Sequence, residues 1–224
     1  MESILKEKLF NEGYISFNLK DFSEELYNNL VTVFPKGYLN PNMFHNIKHS
    51  VVESENYEHA KDTSRKTLGE LEIIKNDIIE KFEKNRKCDQ VWFYDWPYDV
   101  RAKTNPYETV IKPLFKFFYD EESKGGNSQV TMYNDGCYLV NHLDGPEGYY
   151  SPDRHCVILI YLTEDYQKGN GGELVLSKTK KKEDELWIEP TYGNVAIFDF
   201  TKHNIWHRVE KVKGYNRYCF INFC

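Results

Sequence analysis

The sequence lacks the cysteine patterns that build disulfide frameworks or zinc ribbons. Its 224 residues include five cysteines, an odd number at irregular spacing, and no CxxC pair occurs. This usage favours a reducing, intracellular compartment over a secreted disulfide scaffold. We therefore expect a soluble, cytoplasmic protein.

Long apolar runs and an excess of basic charge are also missing. No apolar run approaches the roughly 20 residues that span a membrane, and the charged helical pattern of residues 1–13 is unlike a signal peptide. The formal net charge of −6 provides no general attraction for nucleic acid. The lysine run 178–182 precedes three acidic residues, so we interpret it as a solvated hairpin tip. We expect neither a membrane nor a nucleic-acid partner.

Motifs for several common reaction classes are absent as well: the sequence contains no GxSxG, HExxH or phosphate-binding loop. Hydrophobic residues make up 40% of the chain. This content argues against disorder and is enough for one hydrophobic core. We predict one domain over residues 1–224. Its helical support region covers residues 1–128 and its β-strand core residues 129–224.

The first half of the chain has mainly helical periodicity. Apolar spacing and capping residues predict helices at Glu2–Phe10, from Asp21 or Ser23 to Val33, at Thr63–Lys84 and at Tyr107–Tyr119, where Pro113 allows a kink, with short strands at Tyr14–Phe17 and Gln90–Tyr94. The polar, glycine-containing run Glu121–Ser128 is a loop that marks a change in composition.

After this loop the hydrophobic pattern alternates, as in half-buried strands. Eight segments share the alternation and are separated by turn residues: Gln129–Tyr133, Cys137–Leu143, Cys156–Leu162, Glu173–Ser177, Glu185–Glu189, Asn194–Phe198, Ile205–Glu210 and Asn216–Phe223. We predict an α+β, mainly β fold, a double-stranded β-helix (jelly roll) of about eight antiparallel strands, with the N-terminal helices packed on one sheet.

The segment Tyr138–Gly145 carries the strongest functional signal. Alternation along a strand places His142 and Asp144 on the same face. An imidazole and a carboxylate so placed are two ligands for a divalent metal, and a second histidine would complete the facial triad of non-haem Fe(II) oxygenases. Alone, the pair is a weak signal, because a histidine and an aspartate two residues apart occur by chance in many chains.

Seven histidines occur, so the third ligand must be chosen among several. His207 alternates with the apolar Ile205 and Val209, which turns its side chain toward a core. The remaining histidines are weaker candidates. His203 lies in a turn and His155 is expected at the rim, and an irregular polar segment contains His45, His49 and His59.

Arg217 is the second unusual residue of the tail. It shares its strand face with Cys219, Ile221 and Phe223, which are all apolar. A lone arginine on such a face is costly unless it is paired. A bound carboxylate is the natural partner, because a guanidinium group can donate two parallel hydrogen bonds to it.

Together these features resemble the Fe(II)/2-oxoglutarate-dependent dioxygenase superfamily, in its prolyl 4-hydroxylase-like branch. The resemblance covers about residues 129–224 and includes TMYNDGCYLVNHLD, CVILIYLTEDY followed by GGELVL, and IEPTYGNVAIF. It implies that His142, Asp144 and His207 bind Fe(II) and that Arg217 binds the far carboxylate of 2-oxoglutarate. It also implies that Tyr133 and Tyr161 lie beside this co-substrate, with core packing as the alternative role for both tyrosines.

The resemblance further implies hydroxylation of a C–H bond with dioxygen, release of succinate and CO2, and ascorbate as a candidate reductant. A prolyl or other residue of a protein or peptide is the first expectation for the substrate, and a free amino acid or another small molecule is the alternative. Two further alternatives remain: a non-catalytic metal-binding module on the same fold, and a cupin-type metal scaffold that does not use 2-oxoglutarate. The oligomeric state is not predicted.

Substrate contacts are expected at the rim of the site. The candidates are polar or aromatic residues near the metal ligands: Asp135, Arg154, Trp206 and the loop Pro146–Asp153. A further hypothesis is that Trp92, Tyr94 and Trp96 form an aromatic wall of the substrate site. The alternative is that they pack against the sheet as core residues.

Overall fold

The computed structural model describes residues 2–46, 92–94, 105–122, 127–143, 155–179, 181–199 and 203–224. Several predictions fall outside these residues: the helix Thr63–Lys84, and the site candidates Asp144, Arg154, Trp96, His49, His59 and the loop Pro146–Asp153.

The described helices lie in the N-terminal half, as predicted. They are α1 (Glu2–Glu12), α2 (Leu19–Phe22), α3 (Glu24–Val33) and α4 (Lys112–Tyr119), with a π-helical turn at Tyr107–Ile111 and 3-10 turns at Pro41–Met43 and Lys182–Asp184. Ser23 caps α3, because its hydroxyl accepts a hydrogen bond from the Leu26 N–H at 3.3 Å. Pro113 lies in the first turn of α4, where its missing N–H is tolerated.

The described residues form eleven strands, listed here in chain order with their bounds: β1 (Tyr14–Asn18), β2 (His45–Asn46), β3 (Trp92–Tyr94), β4 (Asn127–Tyr133), β5 (Leu139–Leu143), β6 (Cys156–Tyr161), β7 (Leu174–Ser177), β8 (Leu186–Ile188), β9 (Asn194–Asp199), β10 (Trp206–Val209) and β11 (Arg217–Phe223). All eight predicted strands of the C-terminal half are present. A hairpin tip joins β7 to β8, and the described lysines of the basic run are exposed there, as expected.

The strands form two antiparallel sheets, and the predicted jelly-roll fold is confirmed. The larger sheet has the order β1-β9-β6-β11-β4-β3-β2 and the smaller one the order β5-β10-β7-β8. Strands β1, β2 and β3 come from the N-terminal half, so this half adds strands to the larger sheet as well as helices. Strand β2 was not predicted, since its two residues are too few to show alternation.

Alternate residues of the larger sheet face two different cores. One core, called here the helix-side core, packs strand residues against α1, α3 and α4; it includes Leu9, Ile15, Leu30, Leu114, Phe115, Phe118, Val130, Ile158, Ile160, Ile197 and Phe220. The other, called here the sheet-side core, lies between the two sheets and includes Tyr133, Val157, Leu159, Tyr161, Leu174, Leu176, Phe198, Val209, Tyr215 and Cys219. Strand β11 contributes Phe220 to the first and Cys219 to the second, as its two-residue period requires.

Within the part of the chain that the structure describes, none of the helices is both long enough and apolar enough to cross a lipid bilayer.

Candidate active site

Two histidines meet across neighbouring strands of the smaller sheet. Strands β5 and β10 pair so that His142 lies directly opposite His207. The centroids of the two imidazole rings are 4.0 Å apart, with an angle of 52° between the ring planes. His207 is buried and His142 is partly buried. The pairing therefore brings together two of the three predicted metal ligands, which are 65 positions apart in the sequence.

The backbone orients both rings in the same way. Nδ1 of His142 lies 2.9 Å from the carbonyl oxygen of Val140, and Nδ1 of His207 lies 3.3 Å from that of Ile205. A carbonyl oxygen can only accept, so each Nδ1 carries the proton and donates it. The lone pair of each neutral ring then lies on Nε2, which is the tautomer that a metal ligand needs.

Asp144, the third predicted ligand, lies outside the described residues, and its role stays a prediction. It follows the last residue of β5 by one position. Among the described residues, no group of three histidine, cysteine or carboxylate side chains is arranged to hold a metal. The described part of the site is thus a histidine pair whose carboxylate partner would come from the end of β5.

Two other histidines lie away from this pair. His203 packs on α1 and β1: its ring Nε2 is 3.3 Å from the Phe10 carbonyl oxygen, and a Cβ on Gly13 would lie 2.6 Å from the ring. His155 lies beside Phe115 and Tyr119, with ring centroids 6.3 and 6.2 Å away. The ring of His155 thus lies beside α4, and its expected place at the rim of the site stays a prediction.

Arg217 is buried in the sheet-side core, with 1% of its surface exposed. It lies opposite Tyr133 in the pairing of β11 with β4. Its guanidinium carbon is 5.2 Å from the ring centroid of Tyr133 and 5.0 Å from that of Tyr161. These distances are typical of cation–π contacts. Both tyrosines therefore lie beside the arginine, and their contact with a co-substrate stays a prediction.

The hydrogen bonding of Arg217 is incomplete. Its Nε donates to the carbonyl oxygen of Gly172 at 2.7 Å, and no carboxylate of the described residues lies within 4.0 Å of the guanidinium group. A buried cation without a counter-charge is strongly destabilising. The group therefore fits a site for an anion that is not part of the described protein.

The hydroxyl group of Tyr161 points to the same conclusion. Tyr161 is fully buried, and its hydroxyl makes no hydrogen bond within the described residues. Burial raises the pKa of this phenol above its ordinary value, against the opposing effect of the Arg217 cation. The phenol stays protonated and can donate to an acceptor. A carboxylate would accept from both the phenol and the guanidinium group.

The histidine pair and the arginine open onto the same interior. The ring of Phe198 lies 4.9 Å from that of His207, and Phe198 belongs to the sheet-side core together with Tyr161. The histidine pair and Arg217 therefore both border the sheet-side core.

The remaining rim candidates are less well defined. Trp206 is partly buried on the face of β10 opposite to His207. Asp135 is exposed, and its carboxylate accepts a hydrogen bond from the Gly214 N–H at 2.7 Å. Trp92 and Tyr94 lie in β3, next to β4. Contact of any of these with a substrate stays a prediction.

Sequence reasoning missed the residues that hold Arg217 in place. Gly172 accepts the hydrogen bond from Nε, and Tyr215 donates its hydroxyl hydrogen to the neighbouring Gly171 carbonyl oxygen at 2.7 Å. The paired glycines directly before a strand were the available signal, since such glycines mark a close approach of backbone.

Comparison with known proteins agrees with this geometry. Residues 128–224 match the family model of the 2OG-Fe(II) oxygenase superfamily. The matched segment contains all four predicted functional residues and both tyrosines. A search of curated proteins gave no significant match.

Solved structures share the fold over the whole chain. A prolyl-4-hydroxylase from Pseudomonas putida is 16% identical with a TM-score of 0.56, over 100% of this chain and 98% of that one. A 2OG-Fe(II) oxygenase family protein from Burkholderia pseudomallei is 11% identical with a TM-score of 0.59, over 100% and 90%. A prolyl hydroxylase from Trichoplax adhaerens, in complex with a hypoxia inducible factor peptide fragment, is 14% identical with a TM-score of 0.57, over 99% and 88%. The family model thus supports the resemblance to this superfamily over residues 128–224, and the solved structures confirm the fold.

Proposed function

We propose that this chain, whose residues 128–224 carry a 2OG-Fe(II) oxygenase domain, hydroxylates a C–H bond with dioxygen while converting 2-oxoglutarate to succinate and CO2. The observation that carries the proposal is the buried pair of Arg217 and Tyr161, which has unused hydrogen-bond donors in the same interior as the histidine pair. Apolar side chains at these positions would cost less folding free energy than buried polar groups without partners. The presence of these donors therefore supports a bound ligand.

In the proposed site, His142, Asp144 and His207 hold the iron. The orientation of both rings by their own strand carbonyls supports the two histidines, and the position of Asp144 after β5 supports the carboxylate. Bound iron supplies the activation of dioxygen that hydroxylation of an unactivated C–H bond requires. The protein supplies ligand orientation, the anchor for the co-substrate and a space from which water is excluded.

Arg217 and Tyr161 bind the far carboxylate of 2-oxoglutarate. The Nη groups of Arg217 donate two parallel hydrogen bonds, and the Tyr161 hydroxyl donates a third. Tyr133 contributes the face of its ring to the cation. Charge-assisted bonds of this kind are worth about 1.5–3 kcal/mol each, enough for a specific diacid site.

The proposed substrate is a prolyl or other residue of a protein or peptide. Two neighbours in fold are prolyl hydroxylases, one of them bound to a peptide, which supports this class by analogy only. Trp206, Asp135, Arg154 and the loop 146–153 are the proposed rim contacts, and ascorbate is the proposed reductant. A free amino acid or other small molecule is the second candidate for the substrate.

Succinate formation tests the proposal. Purified protein with Fe(II), ascorbate, 2-oxoglutarate and air is assayed for succinate, with and without a library of proline-containing peptides, and the peptides are examined for a mass gain of one oxygen. We expect slow succinate release without peptide and faster release with some peptides. Binding of metal without any 2-oxoglutarate turnover or binding would instead support the cupin-type or non-catalytic alternative.

A further inference from the structure

The loop before β7 is tied to the connection between β10 and β11. The Gly172 N–H donates to the Glu210 carbonyl oxygen at 3.1 Å, and the Lys213 N–H donates to the Asn170 carbonyl oxygen at 2.8 Å. These backbone bonds fix Gly171 and Gly172 directly beside the start of β11, where Arg217 lies.

Two successive carbonyl groups of this loop accept from two side chains of the same segment. Tyr215 donates its hydroxyl hydrogen to the Gly171 oxygen, and Arg217 donates its Nε hydrogen to the Gly172 oxygen, each at 2.7 Å. Burial raises the pKa of Tyr215 to about 12, so its hydroxyl remains a donor at neutral pH. The Gly171–Gly172 peptide is therefore held between the tyrosine and the arginine.

Only glycine fits at these two positions. Both residues have a positive φ, +70° for Gly171 and +82° for Gly172. A Cβ on Gly171 would lie 1.8 Å from the Lys211 carbonyl oxygen, and a Cβ on Gly172 would lie 2.2 Å from the Tyr215 hydroxyl oxygen and 3.3 Å from Cδ of Arg217. The missing side chains allow the loop to approach the arginine.

We propose that Tyr215, acting through Gly171 and Gly172, is a positioning residue that sets where Arg217 presents its Nη donors and thereby which length of 2-oxo diacid the site prefers. A guanidinium group is planar, so the Nε bond to Gly172 fixes its plane. No described carboxylate holds it otherwise. The distance from this anchor to the histidine pair must match the span of the co-substrate. This inference rests on the proposed function.

Tyr215→Phe is the direct test, because it removes one hydrogen bond and keeps the ring. Tyr166→Phe is the matched control: its ring contacts Tyr215 at a centroid distance of 6.1 Å, but its hydroxyl donates to Glu173 instead of the glycine pair. Binding of 2-oxoglutarate and of the one-methylene-longer 2-oxoadipate is measured by calorimetry with Mn(II) under anaerobic conditions, and KM and kcat are measured with Fe(II).

For Tyr215→Phe we expect a Kd and a KM for 2-oxoglutarate about tenfold higher, because an Arg217 side chain that is less firmly held must be ordered when the ligand binds. The kcat at saturating 2-oxoglutarate should stay within about twofold of wild type, and the preference over 2-oxoadipate should shrink. Tyr166→Phe should behave as wild type. Wild-type affinity and diacid preference in folded Tyr215→Phe would overturn the inference alone, whereas a wild-type protein that binds no 2-oxoglutarate would overturn the proposed function as well.

Discussion

The two faces of the larger sheet are built from alternate residues of the same strands, yet they differ in how their polar groups are satisfied. In the helix-side core the hydroxyl of Tyr119 donates to Asp199 at 3.1 Å, and that of Tyr192 donates to the Phe34 carbonyl oxygen. In the sheet-side core Arg217 has no described counter-charge and the hydroxyl of Tyr161 has no described partner. The named polar groups on the helix side thus have protein partners, whereas those on the sheet side have donors that a ligand could satisfy.

This difference indicates that folding stability and ligand binding depend on different faces of the larger sheet. Burial of apolar side chains on the helix side contributes folding free energy without any ligand. Unpaired donors on the sheet side lower the folding stability of the ligand-free protein. A bound diacid would accept their hydrogen bonds and stabilise the folded state. Substitutions on the two faces should therefore have opposite signatures in stability and binding.

The largest effect should come from the proposed metal ligands. Replacing His142, Asp144 or His207 with alanine should reduce succinate formation to background while the melting temperature changes little, because in the proposed site these side chains bind the metal and do not stabilise the helix-side core. His155→Ala, which changes a partly exposed histidine beside α4, is the matched control and should leave turnover unchanged. Residual turnover close to wild type in His207→Ala would remove it from the metal site.

The next effect concerns the helix side. Phe118 is fully buried, with neighbouring rings at 5.9 Å (Phe17) and 6.0 Å (Phe22). Phe118→Ala should lower the free energy of unfolding by about 3–5 kcal/mol, through lost burial and the cavity left behind. Calorimetric affinity for 2-oxoglutarate in the folded variant should be unchanged. A loss of affinity of tenfold or more would show that the two faces are coupled.

Arg217→Met should give the reverse signature. Removing the charge eliminates an unpaired buried cation while keeping most of the side-chain volume, so the free energy of unfolding of the ligand-free protein should stay the same or rise by about 1–4 kcal/mol. The affinity for 2-oxoglutarate should fall on the order of 100-fold, since charge-assisted hydrogen bonds are lost. Chemical denaturation and calorimetry measure the two quantities. Wild-type affinity in this variant would refute the assigned role.

The smallest effect should come from Tyr161→Phe. The hydroxyl is buried and has no described partner in the ligand-free protein, so its loss should raise the free energy of unfolding by about 1–3 kcal/mol. The affinity for 2-oxoglutarate should fall about fivefold, the value of one neutral hydrogen bond. A marked loss of stability without a change in affinity would assign the phenol to core packing.

Strand periodicity predicted much of this arrangement. It placed His207 and Arg217 on inward faces, and both are buried there. The period of two is local, so it can be read from a few consecutive residues. It also separated His207 from His203, whose position in the turn directs it to the N-terminal helix.

The rest depended on contacts between distant parts of the chain. Tyr215 and Gly171 are 44 residues apart, and their hydrogen bond follows from how two connections meet and not from any local pattern. Strand β1 joins the larger sheet by pairing Tyr14 with Phe198, which the helical character of the N-terminal half does not suggest. Such register is set by three-dimensional packing.

A crystal structure with Mn(II) and N-oxalylglycine, grown without oxygen, tests the central claim most directly. We expect one metal ion bound by His142, Asp144 and His207, and the far carboxylate of the analogue bound by Arg217 and Tyr161. A metal bound elsewhere, or an Arg217 that is paired with a protein carboxylate while the analogue lies outside the space between the sheets, would contradict the account.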